Sequence, residues 1–375
     1  MSQRRVLHVV GRLDRGGVET WLVHVLRHPS RRHVAMDFLV HSDLPASYDN
    51  EVEALGSRVI RSPESPRRPW RYIPALRRLL QDYGPYVAVH SHVHQFSGLI
   101  LREAYRGRVP IRIAHSHLDS RLIDHSASAT RRVYLRLMQR WIRQYATIGL
   151  AASAVAAEAL YGAGWRQDPR WRVLHYGIDL APFSSAAGRS TELRAELGLD
   201  ADTFVIGHVG RFDRQKNHAF LVDIAAAVMA ATPGIRLLLV GDGGLRADIE
   251  RKARDLGIAD KIAMTGVRRD IARLMTGAMD CFVVPSLYEG LPLVLLEAQA
   301  AGLPCIVADS VSEEADVIPE LVNRLSLTQP LDDWTEAVLA ARGRRLPPAL
   351  AASRLESSSF SIGASSAQLL QIYCA

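Results

Sequence analysis

The chain has 375 residues, 48% apolar and 23% charged, with a formal net charge of +7. That length exceeds what one hydrophobic core ordinarily supports, so two domains are expected, and the ordinary glycine and proline content suits a packed α/β protein. No apolar run reaches the roughly 18 residues of a membrane span, "MSQRRVLHVVG" enters a strand at once rather than a secretion signal, and Cys281, Cys305 and Cys374 lack metal-ligand spacing; the expectation is a cytoplasmic protein with buried free thiols.

The first strand, Val6 to Val10, leads into "GRLDRGGVETW", residues 11 to 21. Gly16 and Gly17 allow close backbone approach there, and a helix beginning near Val18 offers free N–H groups to an anion. The full G-x-G-x-x-G pattern is missing, which counts against a nicotinamide enzyme. Further strands are predicted at Ala35 to Val40, Val87 to Ser91, Ile111 to Ala114, Thr147 to Ala151 and Arg172 to Leu174. "VAVHSHVHQFSG", residues 87 to 98, and "IRIAHSHLDS", residues 111 to 120, set histidines directly after apolar strands. No carboxylate or cysteine set completes a coordination sphere around these H-x-H repeats, so hydrogen bonding or general acid work suits them better than metal binding.

Positive charge is concentrated early. Residues 1 to 140 hold 23 Arg and no Lys against 12 acidic residues. "SPRRPWRYIPALRRLL" and "ASATRRVYLRLMQRWIRQYA" carry much of it, the second with Arg132, Arg136, Arg140 and Arg143 at helical spacing and Val133, Leu137 and Trp141 among its apolar positions. Such helices suit an anionic membrane surface or a phosphorylated partner, or form a solvated face. No RNA-binding or recognition-helix pattern accompanies the charge, which counts against nucleic acid.

A seam is expected near "HYGIDLAPF", residues 175 to 183. Beyond it, strands are predicted at Phe204 to Val209, Arg236 to Val240, Ile262 to Thr265, Cys281 to Pro285 and Pro304 to Ala308, alternating with helices. Two successive βαβ sets imply two doubly wound α/β domains, whose ligands bind at the carboxyl ends of the strands. In "IGHVGRFDRQKNHAFLV", residues 206 to 222, Arg211 and Lys216 flank one loop and could converge on a diphosphate. Lys216 is one of three lysines beside 43 arginines. The triplet Asp200 to Asp202 lies in the turn before a strand and reads as loop chemistry. In "YEGLPLVLLEAQAAGLP", residues 288 to 304, Pro292 suits the first turn of a helix and Gly302 its end. Glu289 then precedes the helix and Glu297 lies inside it, both able to accept hydrogen bonds from hydroxyls of a ligand lying across the helix N-terminus.

"GRFDRQKN" together with the E-x7-E segment resembles the donor site of the family 4 retaining glycosyltransferases, and "GGVE", "HSH" twice, "YGID" and "LLQIY" match in order over nearly the whole chain. Within the family the similarity is to bacterial exopolysaccharide-type enzymes. The resemblance implies a GT-B fold: two Rossmann-like domains facing across a cleft, residues 1–177 binding acceptor and 178–358 binding nucleotide sugar, with a C-terminal helix in 359–375 crossing back. Carried over residue by residue, Arg211 and Lys216 would bind the donor diphosphate, Glu289 the transferred sugar, Glu297 the ribose, and the backbone at Gly290 and Leu291 the sugar or phosphate. Val267 and Arg268 would meet the base, and Gly17 would close over the diphosphate. His115 matches the family histidine near the reacting sugar, with His117 its rival; Glu19, His92 and His117 are acceptor-side candidates. The implied reaction is retaining sugar transfer from a UDP- or GDP-linked donor without a cofactor or metal. The implied acceptor is a lipid-linked glycan, met by peripheral contact with the inner face of the plasma membrane; a soluble natural-product acceptor or a nucleotide-sugar epimerase are the alternatives. Tyr176 at the hinge, where many relatives carry Asn, and the lack of a glycine-rich turn in "ADSVSEEADV" depart from the family pattern.

Overall fold

Short β-branched runs alternating with helices can bury both faces of a sheet only by right-handed crossovers, and the chain builds two parallel sheets that way. A computed structural model describes residues 4–29, 33–118, 128–185 and 190–374. It divides into one unit of Met1–Gly177 with Ile362–Ala375 and a second of Ile178–Ser361.

The first unit holds seven strands: β1 (Arg4–Val10), β2 (Val34–Val40), β3 (Val59–Arg61), β4 (Ala88–Ser91), β5 (Ile111–Ser116), β6 (Ile148–Ala151) and β7 (Trp171–Val173). Their order in the sheet is β3-β2-β1-β4-β5-β6-β7. The final helix, Ile362–Cys374, belongs to this unit, where the Trp21 indole donates to Ser365 Oγ (2.8 Å) and Arg4 donates to the Tyr373 carbonyl (3.1 Å). Asp37, fully buried on β2, is neutralised by Arg5 and Arg58, each at 2.8 Å.

The second unit holds β8 (Phe204–Val209), β9 (Ile235–Val240), β10 (Ile262–Met264), β11 (Cys281–Val284), β12 (Cys305–Ala308) and β13 (Val322–Leu325), in the order β10-β9-β8-β11-β12-β13. Residues 359 to 361 stay with it, Ile178 N–H donating to the Phe360 carbonyl at 2.9 Å.

Two strands lie outside the sequence expectation, β3 and β13. Both are edge strands of three and four residues, and neither is buried along its whole length, so neither carries the continuous apolar run that betrays a central parallel strand. Cys281 and Cys305 are buried free thiols, but Cys374 is exposed: it is the last residue of the final helix, where the neighbouring apolar Ile372 and Tyr373 take the inward positions. Asp200 and Asp202 sit exposed in the turn before β8. Among the described residues, no helix is long and apolar enough to cross a membrane.

Candidate active site

In the second unit, the loops leaving β8, β9 and β10 are tied together by their backbones. Gly210 N–H donates to the Val240 carbonyl (3.0 Å), Phe212 N–H to Asp242 (2.9 Å) and Gly241 N–H to Gly266 (2.9 Å). This contact needs glycine: Gly241 has φ +136 and a Cβ on it would lie 2.0 Å from the Gly210 oxygen. The loop after β8 is thereby fixed, and Asp213 caps its 3-10 turn by accepting from Lys216 N–H (3.3 Å).

That turn aims Lys216 at the loop after β11. Lys216 Nζ donates to Glu289 Oε1 at 2.5 Å, Ser286 Oγ donates to the same oxygen at 2.9 Å, and Gln215 Nε2 donates to Glu289 Oε2 at 3.1 Å and to the Tyr288 carbonyl at 3.0 Å. The Lys216 side chain is 17% exposed and that of Glu289 7%, so the pair is held in a setting far less watery than a surface ion pair. Arg211 behaves differently. Its side chain is 75% exposed and donates to Asp213 at 2.8 Å, so the two cations stand in two separate ion pairs. The local reason is chain geometry: Asp213, two residues on, meets the guanidinium before it can reach across to Lys216's partner.

Pro292 is the cap residue before the helix Leu293–Ala300, one position earlier than expected, and Gly302 follows its end with φ +72. Gly290 and Leu291 are buried in the turn that enters the helix. Glu297 lies inside it as expected, and burial pushes its carboxyl up to about 7. Val267, just beyond β10, is 63% exposed, whereas the Arg268 guanidinium donates to Asp270 (2.7 Å) and Glu196 (3.3 Å). The side chain at Val267 is thus open to a planar ligand and that at Arg268 is engaged.

Glu297 gives a prediction with a defined sign. Its carboxyl ionises from about 4.5 in the unfolded chain but only near 7 in the folded one, so the folded state binds the extra proton between those values and loses stability as pH rises through them. The melting temperature of Glu297→Gln relative to the wild-type chain should therefore climb from about pH 5 to about pH 8, a difference read by paired thermal melts. A pH-independent offset would contradict the buried-carboxyl assignment.

In the first unit, Gly17 is exposed as the first residue of the helix Gly17–Arg27, and Glu19 in its first turn folds back over Gly16, whose added Cβ would meet Glu19 Oε2 at 2.5 Å. The histidines gather on one face of the sheet because residues two apart on a strand share a face. His92 Nδ1 lies 3.0 Å from His117 Nε2, and His90 Nε2 lies 3.0 Å from His115 Nδ1. His115 and His117, rivals in the sequence, thus belong to one cluster. His8 from β1, Tyr176 and Tyr373 complete it; in the sequence Tyr176 stands out only as a departure at the hinge, and His8 and Tyr373 look like ordinary core in "RVLHVV" and in the final helix.

Burial holds these imidazoles neutral: His8 and His117 fall to about 3, and His90, His92 and His115 are lowered by burial and then by one another. Two sets, His8 with His90 and His92 and His92 with His115 and His117, place one ring nitrogen each within 4.8 Å of the others. Metal bonds of 2.0–2.1 Å at tetrahedral angles bring ligand nitrogens to about 3.3 Å from each other, and here the nitrogens are already directed at one another in pairs.

The chain thus carries two Rossmann-like parallel sheets, with loops in the second unit and histidines in the first gathered at the strand ends. Residues 15–182 match the glycosyltransferase family 4 description and residues 189–341 that of glycosyl transferases group 1. The putative glycosyltransferase EpsF of Bacillus subtilis (strain 168) is 38% identical over 92% of this chain and 89% of its own length. An Escherichia coli UDP-Gal:alpha-D-GlcNAc-diphosphoundecaprenol alpha-1,3-galactosyltransferase is 30% identical over 68% of this chain and 66% of its own. The solved structure of Anabaena HepE in complex with UDP and glucose is similar with a TM-score of 0.81 at 19% identity, covering 98% of this chain and 99% of that one. The chain belongs to glycosyltransferase family 4.

Proposed function

We propose that the protein is a retaining glycosyltransferase that moves a sugar from a nucleoside diphosphate sugar to a hydroxyl of a lipid-linked glycan in cell-surface polysaccharide synthesis. The observation that carries this reading is the Lys216–Glu289 pair at 2.5 Å, with Gln215 and Ser286 as further donors to the carboxylate. A diphosphate arriving at the loop after β8 presents negative charge to Lys216, releasing Glu289 to accept hydrogen bonds from sugar hydroxyls. Lys216, the exposed Arg211 and the N–H groups of the helix that starts at Leu293 stabilise the charge that grows on the leaving diphosphate, so no metal is required for that step. Ser286 Oγ and Gln215 Nε2 remain as donors to the Glu289 carboxylate and weaken it as a nucleophile, which favours same-face attack by the acceptor over a covalent sugar–enzyme intermediate. Val267 offers its exposed apolar side chain to the base, and Glu297 its carboxyl to the ribose.

The acceptor class rests on exposed surface in the first unit. On the helix Ala129–Tyr145, Val133 and Leu137 are 65% and 42% exposed among the exposed Arg132, Arg136 and Arg140, and Trp70 is 70% exposed between Arg68 and Arg71. Apolar and aromatic side chains set among arginines match an anionic lipid surface, and the similar E. coli enzyme is named for a diphosphoundecaprenol substrate. Thermal-shift measurement against UDP, GDP, ADP and TDP sugars tests the donor reading. One nucleotide class should raise the melting temperature in proportion to the logarithm of its concentration, with UDP sugars, as held by HepE, the first candidate. No shift with any of them would overturn it.

A further inference from the structure

In the second unit, one neutral side chain ties the loop after β8 to the loop after β11. Gln215 is the middle residue of the 3-10 turn Arg214–Lys216, which Asp213 caps and which ends at Asn217 in the left-handed region (φ +55), a conformation asparagine tolerates better than most residues. The turn lies against the loop after β11, where the Leu287 N–H donates to the Gln215 carbonyl at 2.8 Å. The Gln215 side chain adds two contacts with the same loop, Nε2 donating to the Tyr288 carbonyl at 3.0 Å and to Glu289 Oε2 at 3.1 Å. Chemistry fixes which end of the amide faces them. A carbonyl and a carboxylate only accept, so the NH2 group must be the end they meet.

The donors on Glu289 divide by origin. Oε1 receives Lys216 Nζ at 2.5 Å and Ser286 Oγ at 2.9 Å, whereas Oε2 receives Gln215. Ser286 stands three residues before Glu289, so its bond orients the carboxylate relative to its own loop. That loop is also held from the side of β12, where Ser310 Oγ donates to the Ser286 carbonyl at 2.6 Å. Among the described residues, Lys216 and Gln215 are the side chains that reach Glu289 from the loop after β8. Once an incoming diphosphate draws Lys216 away, Gln215 is left as that link. Ser286 on one oxygen and Gln215 on the other then hold the carboxylate plane at two points. A single donor would leave it free to turn, because the last torsion of a glutamate side chain has only a broad preference of its own.

Building on the donor binding proposed above, we propose that Gln215 is a positioning residue that holds Glu289 in its sugar-reading geometry after the diphosphate has taken Lys216. In the free chain the two side chains share that task; with diphosphate bound, Gln215 performs it alone. Its contribution is therefore conditional on the ligand, unlike that of a residue that merely braces the loop. The main-chain bond from Leu287 survives any side-chain replacement at position 215, so the two loops stay joined when the amide is removed.

Gln215→Ala separates the two states. Calorimetric titration with the nucleoside diphosphate selected by the donor panel should give a Kd within about twofold of wild type, and titration with the matching nucleotide sugar a Kd roughly tenfold weaker. The melting temperature of the free variant should stay close to wild type, because Lys216 and Ser286 still hold the carboxylate. An unchanged Kd for both ligands, or equal weakening of both, would overturn the proposal.

Gln215→Glu supplies a readout that a bracing role would not move. The new carboxylate would face Glu289 Oε2 where the amide now donates, and two carboxyl groups so close share a proton rather than both ionise. The upper apparent pKa of that pair is raised, so the shared proton is present at low pH and lost as pH rises. The protonated form again offers Glu289 a donor. The nucleotide-sugar Kd of this variant relative to wild type should therefore recover as pH falls from about 8 to about 5.5. The other charged groups around the position are Lys216, Arg214 and the Arg211–Asp213 pair, while burial holds His208 and His218 beside Lys216 neutral over this range. Glu297, which ionises near 7, is common to both proteins and cancels in the ratio. A deficit independent of pH would overturn the proposal. Absence of nucleotide-sugar binding by the wild-type chain would overturn the donor reading itself, an outcome distinct from a wild-type chain that binds and variants that bind equally well.

Discussion

Lys216→Ala should lower kcat/KM for the nucleotide sugar by roughly 100- to 1,000-fold, the effect of removing one preorganised group that faces developing charge. The ammonium is 17% exposed and fixed at 2.5 Å from Glu289, and the turn that aims it is capped by Asp213. An ordered point charge in a partly dehydrated setting stabilises a departing diphosphate without first reorganising water around itself. The fold should survive, because Glu289 retains Ser286 Oγ and Gln215 Nε2 as donors and Lys216 contributes to no central strand. Lys216→Arg should rescue little. Gly210 lies against the lysine stem, with an added Cβ only 3.3 Å from Lys216 Cγ, and a planar fork cannot follow the same path. Steady-state kinetics beside a thermal melt separates these effects; near-normal rates in a stable Lys216→Ala protein would remove Lys216 from the site.

Glu289→Gln should cost roughly 10- to 100-fold in kcat/KM, the range for losing a charge-assisted hydrogen bond to a ligand hydroxyl. The amide keeps one oxygen for Ser286 or Lys216 but sets an NH2 group against the remaining donor. The two substitutions should be far from additive, since each removes the other's partner: the double variant Lys216→Ala with Glu289→Gln is expected to lose little more than Lys216→Ala alone. Full additivity in that cycle would show that the ion pair is incidental to transfer.

Much of this arrangement could be read before any coordinates. Apolar strand runs, the Gly-containing turns after them and the E-x7-E spacing placed Glu289 before a helix and Glu297 within it, because those features are written in adjacent residues. What escaped depends on residues distant in sequence. Gln215 and Ser286 look like ordinary loop polar groups until Glu289 is seen between them, and Gly241 acquires its meaning only from the backbone of Gly210 pressing against it. The same holds in the first unit, where His8 and Tyr373 are 365 positions apart yet 3.3 Å from each other. Arg211 and Arg268 each pair with a carboxylate two residues away, Asp213 and Asp270, a local contact that their expected roles toward a ligand gave no reason to look for. The edge strands β3 and β13 escaped for a simpler reason: each is only three or four residues long and partly exposed, and only pairing with a neighbour makes them strands.

The central claim is that Lys216 in the second unit binds the donor through its diphosphate. Calorimetric titration of the nucleoside diphosphate selected by the donor panel into the wild-type chain and into Lys216→Ala tests it without any acceptor present. The account predicts saturable binding by the wild-type chain and at least a tenfold weaker Kd for the variant, about 1.4 kcal/mol or more. Equal affinity in the two proteins would contradict it.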